Sequence, residues 1–299
     1  MTEFFSALKV MSLNTWGMPH TFGSQDKEAR MVAIGQYINQ SQHDVYMLEE
    51  LWMRPDYETI KQHLPTGWFM SDYSEMTHGK CDGVLAPDGC SGLSIISRFP
   101  FIDQSFTMFT DHGSASHFWD GESLASKGVG RVRIEPAPGH IVDVFWTHTA
   151  ASDYNGGIRE KQVTQLVGLI KQSDADFVIL GGDFNSDPVV NSKETTLKQI
   201  QEVMVSAVEE FFKKLKSWIV PREATYGNPK NSYSYTYQPV HYDYIFHKAN
   251  GDNRIMTNFF DVSLRFFYTN LLHLFIFRSQ SSSFPRTRST LLVLVITRQ

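Results

Sequence analysis

Five short strings in this chain carry, at or beside an apolar run, a polar side chain able to hold a metal ion or a phosphate. They are SLNTWG with Asn14, MLEELW with Glu49 and Glu50, WTHT with His148, GGDFNSDP with Asp183 and Asn185, and YDYIF with Asp243. Taken singly, several have a bland explanation. An Asn at a strand end most often forms a turn, adjacent glutamates can be a solvated terminus, and His148 between two threonines is as readily a hydrogen-bonded structural histidine. GGDFN is the strongest string. Two glycines straight after Val178, Ile179 and Leu180 predict a tight turn that sets an acid and an amide two residues apart on one side. Together the strings offer carboxylates, amides and an imidazole, without thiolates or a zinc-type histidine cluster. Such a set suits a hard, oxygen-ligated cation such as Mg²⁺ acting on a phosphate. Whether Glu49 or Glu50 faces that site is not written in the pattern.

The elements that must position these residues follow from periodicity. Leu8 to Thr15 reads as a strand and Asp26 to Gln40 as a helix, with Met31, Ile34, Tyr37 and Ile38 on one face. Asp44 to Leu51, Gly92 to Ser97, Gly130 to Glu135 and Ile141 to Thr147 read as strands, the last two forming a hairpin through Pro136 to His140. Ile158 to Lys171 is a helix carrying Val163, Leu166, Val167 and Ile170, and Asp176 to Leu180 is a strand. Lys198 to Trp218 is the longest helical pattern, and Tyr242 to Phe246 is the last confident strand. Hairpins mixed with crossovers predict an α/β fold with two sheets packed face to face under helices.

With 41% hydrophobic and 20% charged residues among 299, the composition is that of an ordinary globular protein, which excludes disorder, collagen and coiled coil. No linker interrupts the first 260 positions, so one large domain is expected. From Val262 the chain carries five Arg and no Asp, Glu or Lys, so the formal charge of −5 splits into −10 for the body and +5 for the tail. An acidic body disfavours nucleic acid as a partner. No apolar run approaches the roughly 18 residues of a spanning helix, and no leader is evident at the N-terminus. The expectation is a cytoplasmic or peripheral-membrane protein with Cys81 and Cys90 reduced.

In this order the strings resemble the endonuclease/exonuclease/phosphatase superfamily of metal-dependent phosphoesterases. The resemblance runs from LNTWG through LEELW, GLSIISRFP, WTHT and GGDFNSDP to YDYIFHK, covering residues 8 to about 261. Within the superfamily the chain is most similar to neutral sphingomyelinases, through Trp16-Gly17 after Asn14-Thr15, SGLSIISRFP, and Lys127-Gly128 in ASKGVGRVRI. The resemblance implies a four-layer sandwich of two mixed β-sheets flanked by helices. It implies Mg²⁺ on Glu50, with Asn14 at metal-bound water or a phosphate oxygen, and Lys127 at the substrate. His148 would hydrogen-bond the phosphate, Asp183 orient the attacking water, Asn185 hold a non-bridging oxygen, and Asp243 orient a general-base histidine. The implied reaction is hydrolysis of sphingomyelin, or a related membrane phospholipid, to ceramide and phosphocholine.

This chain departs from that pattern at its end. The family closes on a Ser-Asp-His string that supplies the base, and nothing after YDYIFHK matches it. Asp111-His112 lies too early in the chain, His247 lies four residues along one strand from Asp243, and His273 lies in the tail. The expected organisation is a catalytic domain at 1–261 lacking its last core strand, followed by an atypical basic tail at 262–299. Phe106, Met108, Phe109, Phe118 and Trp119 have two readings, insertion into a lipid surface beside the site or packing on the core. The alternatives are a nuclease, an inositol-phosphate phosphatase, or an inactive lipid-binding scaffold.

Overall fold

The computed structural model describes residues 8–18, 24–77, 91–112, 122, 125–214, 225, 240–251, 253–261 and 288–297. The first half holds β1 (Leu8–Asn14), α1 (Lys27–Gln40), β2 (Val45–Glu49), α2 (Arg54–Lys61), β3 (Phe69–Met70), α3 (Tyr73–Thr77), β4 (Ser94–Ser97) and β5 (Phe101–Met108). Next come β6 (Gly128–Ala137), β7 (His140–His148), α4 (Gly156–Lys171), β8 (Phe177–Asp183), α5 (Thr196–Gln201) and β9 (Val205–Ser206). The described chain closes with α6 (Ala207–Lys214), β10 (Asp243–Ala249), β11 (Arg254–Asp261) and β12 (Arg288–Thr297).

Two six-stranded mixed sheets result, one ordered β11-β12-β1-β2-β4-β3 and the other β5-β6-β7-β8-β10-β9. Strand alternation explains their stacking. Val10, Val45, Met47 and Ile95 of the first sheet interdigitate with Val142, Val144, Trp146, Phe177, Ile179 and Ile245 of the second. On its outer face the first sheet buries Met11, Leu13, Tyr46, Leu48 and Ile96 under Met31, Ile34, Ile38 and Ile60 of α1 and α2. The second sheet buries Phe145, Val178, Leu180 and Phe246 under Val163, Leu166, Ile170, Leu197 and Ile200 of α4 and α5. The fold is therefore the four-layer α/β sandwich that the resemblance implied.

Several local expectations are corrected. Gly181 and Gly182 do not turn the chain; both lie within β8, which runs on to Asp183. Gly182 adopts φ 144°, and a Cβ there would lie 1.9 Å from the Thr147 carbonyl oxygen of the neighbouring strand. Close approach, not a turn, is what requires glycine. The long helical pattern at 198–218 is broken in two, because Val205–Ser206 pairs with Phe246 and His247 at the edge of the second sheet. Phe109 is fully buried in the core under α4, and Phe106 packs between the sheets, so neither is free to enter a lipid surface. Phe118, Trp119, Cys81, Cys90 and His273 lie outside the described residues.

A further strand lies at 288–297, within the segment expected as a tail. β12 sits between β11 and β1, antiparallel to both, with Leu291–Leu294 opposite Leu8–Met11. Among the described residues no helix is long and apolar enough to cross a membrane.

Candidate active site

The inter-sheet face of each central strand is apolar until its last step, and there it becomes polar. On β1 the series is Val10, Ser12, Asn14; on β2 it is Val45, Met47, Glu49; on β7 it is Val144, Trp146, His148; on β8 it is Ile179, Gly181, Asp183. On β10, which runs the other way, Asp243 comes first and Ile245 follows. Register places the polar ends at one level: Asn14 is the partner of Glu49, and Asp183 the partner of both His148 and Asp243. The same apolar stripe that welds the sheets therefore delivers five polar side chains to one mouth.

Asn14 joins the two sheets. Its Nδ2 donates to Glu50 Oε1 at 2.7 Å and to Asp183 Oδ2 at 3.1 Å, while its Oδ1 accepts from the Trp16 N–H at 2.9 Å. Glu50 reaches this point because its φ is 57°, a left-handed conformation that breaks strand alternation. Glu49 and Glu50 thus converge on one side, which resolves the ambiguity in the sequence by using both. Glu49 accepts from the Ser12 hydroxyl at 3.0 Å. Burial, reinforced by the negative charge of Asp243, pushes the Glu49 carboxyl well above the usual carboxylate range.

Asn185, at φ 46°, donates its backbone N–H to Asp183 Oδ1 at 3.0 Å and its Nδ2 to the Thr149 carbonyl at 3.0 Å. Lys127 is only 4% exposed and its three ammonium protons are all engaged. They face Glu122 Oε1 at 2.7 Å, the Thr149 carbonyl at 2.7 Å and His148 Nε2 at 3.3 Å. Lys127 thus braces His148, and Glu122 is the counter-charge that makes its burial tolerable.

Glu122 and two helix arginines escaped the sequence reading. Arg30 of α1 donates to the carbonyls of Thr15 at 2.5 Å and Trp16 at 2.9 Å, pinning the loop after Asn14. Arg159 of α4 donates to those of Ala150 at 2.9 Å and Ser152 at 2.6 Å, pinning the loop after His148, and pairs with Glu194. Each sheet has one such clamp. The signal was a charged residue on an otherwise apolar helix face, Arg30 beside Met31 and Arg159 near Val163. Of the other candidates, Asp111 pairs with Lys161 and His247 is buried against Glu210, so neither joins the cluster.

Among the described residues no group of three or more His, Cys, Asp and Glu forms a ready cage for a metal. The oxygen donors that do converge, the carboxylates of Glu50 and Asp183 joined through the Asn14 NH2, are few. They fit a hard cation that keeps several of its waters.

The endonuclease/exonuclease/phosphatase family matches residues 11–254. The inositol phosphosphingolipids phospholipase C of Schizosaccharomyces pombe is 28% identical over 189 residues, 61% of this chain and 42% of that protein. Human sphingomyelin phosphodiesterase 2 is 28% identical over 195 residues, 62% of this chain and 43% of that protein. The chain thus aligns with less than half the length of these curated relatives. A crystal structure of Staphylococcus aureus beta toxin with bound magnesium ions superposes with a TM-score of 0.68 at 16% identity, over 96% of this chain and 99% of that one. D. rerio TDP2 complexed with single-strand DNA product also gives 0.68, at 13% identity over 97% and 99%. The fold alone therefore lends no support to the expectation that nucleic acid is excluded.

Proposed function

The chain belongs to the endonuclease/exonuclease/phosphatase family, and from that premise we propose that it is a Mg²⁺-dependent phosphodiesterase that hydrolyses sphingomyelin, or a related sphingolipid, to ceramide and phosphocholine. The observation that carries the reading is the Asn14 bridge, which holds one acid from each sheet, Glu50 and Asp183, around a single polar mouth. Glu50, with Asn14 beside it, would hold Mg²⁺, which when bound withdraws charge from phosphoryl oxygens.

The remaining steps belong to the chain's own groups. His148, braced by Lys127, donates a hydrogen bond to a phosphoryl oxygen as negative charge builds there. Asp183 orients the attacking water, with its carboxylate fixed by the Asn14 amide and the Asn185 N–H. Asn185 offers its amide to a non-bridging oxygen. Asp243 is placed to orient an imidazole, but the first residue of β12, opposite Asn14, is Arg288. Because the sequence lacks the Ser-Asp-His string that supplies the base, turnover is expected to be slow by about 10²- to 10⁴-fold.

The test is phosphocholine release from sphingomyelin vesicles by the full chain in Mg²⁺ and in excess chelator. Slow, chelator-sensitive release is expected, and equal turnover in chelator overturns the metal assignment. Replacing 262–299 with an ending that contains Ser-Asp-His should raise the rate about 10²-fold. Mg²⁺-dependent vesicle binding with no turnover before or after that replacement would instead favour an inactive lipid-binding scaffold, the reading that the missing string supports. Faster cleavage of DNA than of sphingomyelin would replace the lipid by nucleic acid.

A further inference from the structure

Trp52 leaves the site with a buried donor that the fold does not use. The chain turns at Glu50, fixes the Leu51 N–H to the Gly92 carbonyl at 2.8 Å, and brings the Trp52 carbonyl within 2.8 Å of the Tyr73 hydroxyl that donates to it. The indole is then pressed onto Gly92. That glycine has φ 64°, and a Cβ there would sit 2.8 Å from the ring. The His148 ring lies nearby, with centroids 6.5 Å apart and planes at 46°. Trp52 is 8% exposed and its Nε1 is buried, yet among the described residues nothing accepts a hydrogen bond from it.

A buried donor without an acceptor is costly, and native folds rarely keep one without a use. Trp146 also has an unpartnered Nε1, but it sits in the sealed inter-sheet core against Gly130, where no ligand can reach. Trp52 stands between Glu50, two residues before it, and His148, the groups read as serving the metal and the phosphoryl oxygens. We propose that the Trp52 indole N–H donates a hydrogen bond to an oxygen of the substrate's phosphodiester group, making Trp52 a substrate-contacting residue. The inference rests on the phosphodiesterase reading but not on which headgroup or lipid the diester carries.

The test uses the full chain with Mg²⁺, and Trp52→Phe, which keeps an aromatic plane on Gly92 and removes the donor together with part of the ring. kcat/KM should fall about 10-fold or more on both the soluble diester bis(p-nitrophenyl) phosphate and sphingomyelin vesicles, as expected for a lost hydrogen bond to an ionised acceptor. The melting temperature should not fall. In ¹⁵N-labelled wild type, the indole N–H resonance that vanishes in Trp52→Phe should shift on saturation with phosphocholine, while the one that vanishes in Trp146→Phe should not. Trp52→Tyr provides the assignment if the Phe variant does not fold, and the resonance test stands even if no substrate is turned over. Unchanged kcat/KM on the soluble diester, an unshifted Trp52 resonance, or a loss confined to sphingomyelin would each overturn the proposal. Wild-type cleavage of the soluble diester but not of sphingomyelin would remove the sphingolipid reading and leave this one tested by its own arm.

Discussion

Asp243 and His247 lie four residues apart on the same inter-sheet face of β10, both buried, in opposite surroundings. His247 Nε2 meets Glu210 Oε2 at 2.9 Å and the Thr257 hydroxyl at 3.1 Å, and the Thr257 N–H donates to the same Glu210 oxygen at 2.6 Å. That is a buried polar cluster with complementary partners. At the other end Asp243 shares the mouth with Glu49, Glu50 and Asp183, to which the Ser12 hydroxyl, the Asn14 amide and the Asn185 N–H donate hydrogen bonds. Acids crowded in low dielectric repel. The apolar stripe between the two ends holds both, so the stability gained by ordinary packing is what keeps several acids together at the mouth. A fold that kept only complementary clusters would have no such mouth.

The largest expected effect separates the two ends by activity. Asp183→Asn should lower phosphocholine release by about 10²- to 10⁴-fold, since it blunts the group that orients water. The same change should leave the melting temperature unchanged or raise it, because one of several crowded acids is removed. A calorimetric scan beside the rate assay checks both. A fall in stability equal to that seen for core truncations would mean that the acid is structural.

The opposite end should behave in the opposite way. His247→Leu removes the donor or acceptor that Glu210 and Thr257 share, which should cost about 1 to 3 kcal/mol and lower the melting temperature by several degrees. The rate per folded molecule should stay the same. A loss of rate at full folding would show that the stripe transmits the state of one end to the other.

Much of this contrast was legible in the sequence, and what was not has physical reasons. Asn14, His148 and Asp183 announce themselves because each ends an apolar run and Asp243 because it begins one, and a strand's period of two then fixes the face. Glu50 does not, because a left-handed φ at a non-glycine residue is set by its surroundings and leaves no trace in a hydropathy pattern. The brace of Lys127 by Glu122 crosses a loop, and loops carry no period. The run Leu291 to Ile296 shows no polar alternation from which a strand could be read, and α5 and α6 were fused because a two-residue edge strand is too short to interrupt a helical pattern. In the sheets, local pattern sufficed. At the turns, tertiary contacts decided.

The smallest effect sets the two ends apart by the sign of their response to pH. At the mouth, burial and the neighbouring Asp243 raise the Glu49 carboxyl above its ordinary value of 4.5. The folded chain therefore holds a proton that the unfolded chain has released, so the stability linked to it is complete below that ordinary value and is lost as pH rises through the raised one. At the far end burial raises Glu210, but hydrogen bonds from Thr257 and the charge and hydrogen bond of His247 outweigh it, and the carboxyl lies below 4.5. Its contribution is present above that value and is lost as pH falls through the lowered one. Glu49→Gln should flatten the loss of melting temperature on the alkaline side only, and Glu210→Gln should flatten it on the acid side only. Because Glu210 is partly exposed, its effect should be the weaker and the more sensitive to salt. Melting curves across the pH range for the wild type and the two variants, at low and high ionic strength, measure this. If both substitutions flatten the same limb, the two ends are electrostatically alike and the contrast between them fails.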